Sequence, residues 1–264
     1  MSKERMAQDA DIKHAMQRRY DGFGAGVARA LDQLQQPADV WRMAEGGKPA
    51  LAYYRRRKLE TALALGGFPP GASLLDVGCA TGDYTLLWAR RGFRMTGTDL
   101  SPASIEAARR KADLAGRSEI RFVTADAEAL DGLPDAAFDG VVSFSALRYV
   151  PNLDRALAAI FRVLKPGGVA ALDFPNRYCP WFTLLKNRVG VETHIHDHQY
   201  GAGGITRELE RVGFRDVRVR HLLFTSYLTP KALLPAFRLF DRIGERTPLL
   251  NRTAAILMAR GAKP

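Results

Sequence analysis

One ten-residue stretch, Leu74-Leu75-Asp76-Val77-Gly78-Cys79-Ala80-Thr81-Gly82-Asp83, constrains the fold more than any other part of the chain. A short apolar run carries an acid near its end and passes into two glycines four residues apart and a helix start. A strand that ends in glycine at the lip of a parallel sheet lets backbone approach a ligand with no side chain between them. The helix that follows points unpaired N–H groups at any carboxylate or phosphate placed there. The stretch therefore reads as the first strand–turn–helix unit of a nucleotide-type α/β fold.

Its spacing narrows the choice. A dinucleotide loop needs G-x-G-x-x-G, the middle glycine making room for a pyrophosphate. Here Gly78-Cys79-Ala80-Thr81-Gly82 contains no G-x-G, and Ala80 fills the tight position. The loop resembles the first motif of the class I S-adenosylmethionine (SAM)-dependent methyltransferases, written D-x-G-x-G-x-G or close to it. Ala80 departs from that pattern at the middle glycine.

Four further stretches extend the resemblance over about the central half of the chain. Arg94-Met95-Thr96-Gly97-Thr98-Asp99 ends a second strand in an acid, and Leu100-Ser101-Pro102 opens a helix with Ser101 at its N-cap and Pro102 at its first position. Phe122-Val123-Thr124-Ala125-Asp126-Ala127-Glu128, Phe138-Asp139-Gly140-Val141-Val142-Ser143-Phe144-Ser145 and Val163-Leu164-Lys165-Pro166-Gly167-Gly168 resemble the family's third, fourth and fifth strand junctions. Each is weak alone; their order makes the signal. Strand-end acids of an ordinary Rossmann-like sheet are the competing reading of Asp76, Asp99 and Asp126.

The resemblance, nearest to the ubiquinone/menaquinone-biosynthesis type, implies an α/β fold. Its seven-stranded, mostly parallel sheet would carry helices on both faces, with the last strand antiparallel between the fifth and sixth. It implies SAM as cofactor, held by Asp76, Gly78, Cys79, Ala80, Gly82, Asp99, Leu100, Asp126, Ala127 and Phe144. Asp99 would take the ribose hydroxyls and Asp126 the adenine amino group. In Tyr53-Tyr54-Arg55-Arg56-Arg57-Lys58, Arg57 stands at about the distance from the loop at which related quinone-pathway enzymes place a carboxylate-binding Arg, with Arg56 second. A solvated basic helix face is the other reading of that run.

Periodicity and breakers outline the rest. Residues 5–45 read as two helices broken near Gly22–Gly26 and Pro37, and 51–65 as a third. Strands fall near 73–77, 94–98, 119–123, 138–143, 168–173, 214–224 and 254–260, with a helix at 204–212. Residues 1–69 form a helical cap on a core spanning 70–264, with insertions at about 175–202 and 225–252. At 264 residues and 47% hydrophobic, the chain suits one α/β domain with additions. The polar start Met1-Ser2-Lys3-Glu4-Arg5 and the absence of an apolar run near ~18 residues give the expectation of a cytoplasmic protein. Cys79 and Cys179 offer neither metal spacing nor a disulfide framework.

Charge is unevenly placed. Residues 70–185 carry 13 basic and 13 acidic side chains, residues 1–69 carry 12 and 8, and residues 186–264 carry 14 and 7. The net charge of +11 therefore lies in the flanks. It points to an anionic acceptor, a lipid headgroup or nucleic acid, or to a surface kept basic for solubility. The stripe Leu233, Leu234, Phe237, Phe240 and Ile243, with Lys231, Arg238, Arg242 and Arg246 around it, suits a lid or a helix lying on an anionic membrane.

His194, His196 and His198 fall in the first insertion, where His196 or His198 could serve as general base toward a hydroxyl acceptor. A metal site and ordinary loop histidines are the other readings. Base amino methylation is disfavoured because Ser143-Phe144-Ser145-Ala146 replaces an Asn/Asp-Pro-Pro-aromatic motif. Cys179 lies where one RNA family keeps a nucleophile, but the companion Pro-Cys motif is missing. The expected function is methyl transfer from SAM to a small or lipid-linked acceptor, at oxygen before carbon or nitrogen, with RNA methylation as an alternative. An NAD(P)-dependent oxidoreductase and a non-catalytic SAM-binding partner protein are the alternatives from other classes.

Overall fold

Seven short segments pair into one sheet, and alternation along each strand decides which side chain faces which layer of helices. The computed structural model describes residues 3–34, 36–180 and 198–264. The strands are β1 (Ser73–Val77), β2 (Arg94–Asp99), β3 (Arg121–Thr124), β4 (Phe138–Ser143), β5 (Leu164–Pro175), β6 (Arg215–Leu222) and β7 (Ile256–Ala262). Their order is β3-β2-β1-β4-β5-β7-β6. Strands β1 to β5 are parallel, and β7 lies antiparallel between β5 and β6, as the resemblance implied.

Among the described residues the α-helices are α1 (Lys3–Leu31), α2 (Pro37–Glu45), α3 (Pro49–Gly66), α4 (Asp83–Ala89), α5 (Pro102–Leu114), α6 (Leu153–Val163), α7 (Ala202–Val212) and α8 (Leu234–Gly244). On one face of the sheet, Leu74, Val142, Ala171 and Met258 join Leu59, Ala62, Trp88 and Ile105. On the other, Leu75, Val141, Leu172 and Leu257 join Leu157, Ile160, Ile205 and Leu209. Neighbouring residues on one strand thus enter opposite layers, as expected for a sheet covered on both faces. Residues of α2 and α3 share their apolar cluster with α4 and β2.

Two elements differ from the sequence expectation by more than a residue or two at an end. Helix α1 runs unbroken through Gly22, Gly24 and Gly26 to Leu31. Glycine weakens a helix, but its missing Cβ permits close packing. A Cβ on Gly24 would stand 2.5 Å from the Ser104 amide nitrogen, at the start of α5. The Asp21 carboxylate there accepts the Ser101 hydroxyl at 2.6 Å, and Ser101 in turn caps α5 by accepting from the Ser104 amide at 3.0 Å. Strand β5 begins at Leu164, before the Pro-Gly-Gly turn expected to precede it, because Leu164 already pairs with Phe138 ahead of a register shift. No helix among the described residues is long and apolar enough to cross a membrane.

The order places a topological switch between β1 and β4, where the connections leave in opposite directions. Open α/β sheets bind ligands in the crevice there.

A side chain at position 24 should push α1 off α5. Gly24→Val should cost about 1–3 kcal/mol by overpacking, read as a lowered midpoint in thermal denaturation. An unchanged midpoint would show that α1 is not held at this contact.

Candidate functional site

The turn after β1 is shaped by two amides competing for one carbonyl. The Gly78 and Cys79 N–H groups both donate to the Thr98 carbonyl at 2.8 Å. The turn needs Gly78 at φ +72°, and a Cβ there would come within 2.2 Å of the Ala146 side chain. Ala80, at the position where the family pattern has glycine, also sits in the left-handed region at φ +47°. Its amide donates to Asp99 at 2.9 Å, and the Ser101 amide donates to the other Asp99 oxygen at 3.0 Å. Asp99 is thereby fixed at the tip of β2. A carboxylate has about four acceptor sites, so Asp99 keeps acceptor capacity for a hydroxyl.

A cavity of about 290 Å³ opens above this turn. Nine of the sequence-predicted residues line it: Asp76, Gly78, Cys79, Ala80, Asp99, Leu100, Asp126, Ala127 and Phe144. Gly82 does not; at φ +78° it ends the turn and packs toward Ala108 and Phe122. Helix α1 adds Lys13, Met16, Gln17, Tyr20 and Phe23 as a roof. Lys13 bridges Asp126 at 2.6 Å and Glu128 at 2.8 Å, tying the roof to the turn after β3.

Arg57 is not in this cavity. Its guanidinium pairs with Glu245, whose other oxygen accepts the Leu223 amide at 3.0 Å, so Arg57 fastens α3 to the end of α8. Arg56 points outward, 3.8 Å from Glu60. Arg55 is the basic residue of the run that lines the cavity. It is held by Asp83 at 2.7 Å and by the Met43 and Ala44 carbonyls at 3.0 and 2.7 Å. Two residues of helix phase separate the outcomes, and strand-end motifs carry no information about that phase.

His198 lies beside the main cavity rather than in it. It lines a neighbouring hollow of about 270 Å³ that shares Val150 and Pro151 with the first. His194 and His196 lie outside the described residues. Cys179 is fully buried, and burial raises the Cys79 thiol well above its ordinary range. No cluster able to hold a metal occurs among the described residues.

Beneath the turn, Asp76 is buried and accepts the Thr85 hydroxyl at 2.7 Å. Burial pushes its carboxyl up to about 7; the Thr85 bond pulls it down, and Asp99 and Asp173 push it further up.

Known proteins of similar sequence and fold identify the family. Residues 75–172 match the model of a methyltransferase domain. The chain is 34% identical over 201 residues to a demethylmenaquinone methyltransferase of Tropheryma whipplei, covering 69% of this chain and 81% of that one. It is 31% identical over 199 residues to an S-adenosyl-L-methionine-dependent Diels-Alderase of Talaromyces variabilis, covering 70% and 65%. In structure it resembles a SAM-dependent methyltransferase of Thermotoga maritima, with TM-score 0.61, 16% identity, and coverage of 86% and 94%. The chain spans between 51% and 65% of the length of the first curated relatives it matches. The protein belongs to the class I SAM-dependent methyltransferase family, whose methyl donor is SAM.

The raised carboxyl has a stability consequence. An unfolded Asp titrates near ~3.9, whereas the folded Asp76 keeps its proton to about 7. Between those values the folded state binds more protons, so its stability falls as pH rises. Asp76→Asn keeps an acceptor for Thr85 and removes the ionisation. Relative to wild type, the unliganded variant should gain roughly 2–3 kcal/mol between pH 5 and pH 8, measured by denaturant unfolding. Parallel pH profiles would place the Asp76 carboxyl at an ordinary pKa.

Proposed function

We propose that the protein transfers a methyl group from SAM to a small amphiphilic acceptor, at oxygen. The observation that carries the reading is the cavity at the β1/β4 switch, where Asp99, Asp126 and Arg55 face a glycine turn with no Cβ at Gly78. That donor set fits SAM. Asp99 offers its remaining acceptor capacity to a ribose hydroxyl, Asp126 an acceptor to an amino group, Arg55 a cation to the amino-acid carboxylate, and Asp76 an acid to its ammonium. SAM supplies an electrophilic methyl on a sulfonium leaving group, so the protein's task is mainly to hold an acceptor in line. Arg55 replaces Arg57 in this assignment because it lines the cavity and Arg57 does not.

An amphiphilic acceptor is supported by α8. Leu234, Asp241 and Gly244 face inward, and the buried Asp241 accepts from Tyr53 Oη, the Phe224 and Thr225 amides and the Thr225 hydroxyl at 2.6 to 3.0 Å. Leu233, Leu239, Phe240 and Ile243 remain exposed at 42–57%, beside exposed Lys231, Arg242 and Arg246. The expected stripe is thus divided: Leu234 packs on the domain while Leu233, Phe240 and Ile243 face out. Arg238 also departs from its expected place, lying 4.8 Å over the Tyr53 ring. An apolar face rimmed by cations suits a quinone-type or lipid-linked molecule and the edge of an anionic membrane. The quinone-methylating relative supports the same class.

Calorimetry with SAM and with NAD(P) tests the cofactor, and transfer of labelled methyl to extractable lipid and quinol fractions tests the acceptor. Asp99→Ala and Arg55→Met should each weaken SAM binding by ten- to a hundredfold, the equivalent of about 1.5–3 kcal/mol for a charge-assisted bond. Arg57→Met should leave SAM affinity nearly unchanged and lower thermal stability instead. The reverse ranking of the two arginines would return the carboxylate to Arg57.

Arg242→Glu with Arg246→Glu should leave SAM binding intact and weaken binding to anionic vesicles, most clearly at low salt. Equal vesicle binding by variant and wild type would make this face a solvated surface.

A further inference from the structure

Lys58 is the least expected residue of the molecule. It is fully buried, yet carries an ammonium on a helix that could have turned it to solvent. Its Nζ pairs with the buried Asp173 carboxylate at the end of β5 and donates to Ser145 Oγ at 2.8 Å. The rings of Tyr54, Tyr84 and Phe144 surround it, with centroids 5.2, 5.5 and 5.6 Å away. Tyr84 and Phe144 stack at 4.2 Å and, with Ser145, form part of the cavity wall.

Ser145 is held as tightly as it is strained. It sits in the left-handed region at φ +59°, where a non-glycine residue is disfavoured. Its amide donates to the second Asp173 oxygen, and its side chain receives the Lys58 proton donor. Strain and a desolvated ion pair together fix one hydroxyl at the cavity wall. Pairs of this kind add little to stability, because desolvation offsets their attraction. Strained residues held by their surroundings are typical of working sites.

We propose that Ser145, Lys58 and Asp173 form a hydrogen-bond relay that holds an acidic O–H acceptor, of phenol or quinol class, as its anion at the methyl-transfer site. The proposal rests on the methyl-transfer reading above and names what stabilises the ionised acceptor. Ser145 Oγ accepts from the Lys58 ammonium, which is paired with the Asp173 carboxylate, and gives its own hydroxyl hydrogen to the acceptor oxygen as a hydrogen bond. The acceptor releases its proton to water on binding. As the acceptor oxygen bonds to the methyl carbon, the S–CH3 bond breaks and its electron pair stays on sulfur. Ser145 is the catalytic residue here, and Lys58 and Asp173 act through it.

A desolvated ammonium gains from a further anion within its reach. Burial is the largest influence on Lys58 and drives its pKa down, Asp173 opposes it, and the positive charges of Arg148 and Arg55 reinforce it. Tyr54 and Tyr84 face the same amine, and burial raises both phenols, so neither competes as an acid or a base near neutrality. The relay needs no residue of the 181–197 segment.

The test uses the full chain with S-adenosylhomocysteine and 4-nitrocatechol, a probe whose phenolate is coloured and whose phenol is not. Visible titration should show the probe bound to the wild-type complex as phenolate at a pH where the free probe is mostly protonated. Its apparent acidity should rise about tenfold or more, one pKa unit. Ser145→Ala leaves the ion pair in place and should return the bound probe to its free acidity. Lys58→Met combined with Asp173→Asn avoids leaving one buried charge unpaired and should do the same. Calorimetry should show both variants binding SAM within a few-fold of wild type. A probe that binds but stays protonated, one that ionises equally in the variants, or one that does not bind overturns the relay. Failure of the wild type to bind SAM would instead overturn the methyl-transfer reading.

Discussion

The convergence of the Gly78 and Cys79 amides on the Thr98 carbonyl is the constraint from which the site follows. It draws the end of β1 onto the end of β2 and forces Gly78 into a conformation that side-chain-bearing residues resist. The turn then passes so close to Ala146 that a Cβ at 78 would overlap it, which ties the end of β4 to the same point. With the turn set, the Ala80 amide reaches Asp99, and Asp99 takes up the orientation in which its remaining acceptor capacity stays free. Three strand ends and one carboxylate are thus placed by a single bifurcated carbonyl. Ala80 carries the left-handed conformation at a cost of roughly 1–2 kcal/mol, which its bond to Asp99 offsets.

Most of the architecture was legible because strands and turns are written locally. The apolar runs at β1 and β4 fell on 73–77 and 138–143 as read, and the Ser101-Pro102 cap opened α5 where its chemistry required. The unbroken α1 was not legible. Three glycines argue for a break, and only the packing of Gly24 on the first turn of α5 supplies what the local sequence lacks. Lys13 was missed for a related reason: nothing near it signals that α1 would cover the cavity and reach Asp126.

Within the site, the motif residues were legible and the basic partners were not. Strand-end acids and glycines point at the ligand whatever surrounds them, because the sheet fixes their position. A residue on a helix turns through ~100° with each step, so its destination depends on what the helix packs against. Ser145 was visible only as the end of a strand motif. Its bond to Lys58 joins residues 87 positions apart and could appear only once α3 lay against the sheet.

Helix α3 shows what that packing accomplishes. Arg55, Arg56, Arg57 and Lys58 occupy little more than one turn, and each meets a different environment. Arg55 faces the cavity with Asp83, Arg56 faces solvent near Glu60, Arg57 clamps Glu245 beside α8, and Lys58 enters the core to meet Asp173. A run of four cations would repel itself on one face; wound on a helix, it is separated, and each charge meets an acid. The orientation of α3 is thereby fixed from three inward directions, since a rotation that improves one pair breaks the others. Because Arg55 at the cavity wall, the Arg57 clamp on α8 and the buried Lys58–Asp173 pair lie within about one turn of this helix, a single rigid element joins the cavity wall, α8 and the end of β5.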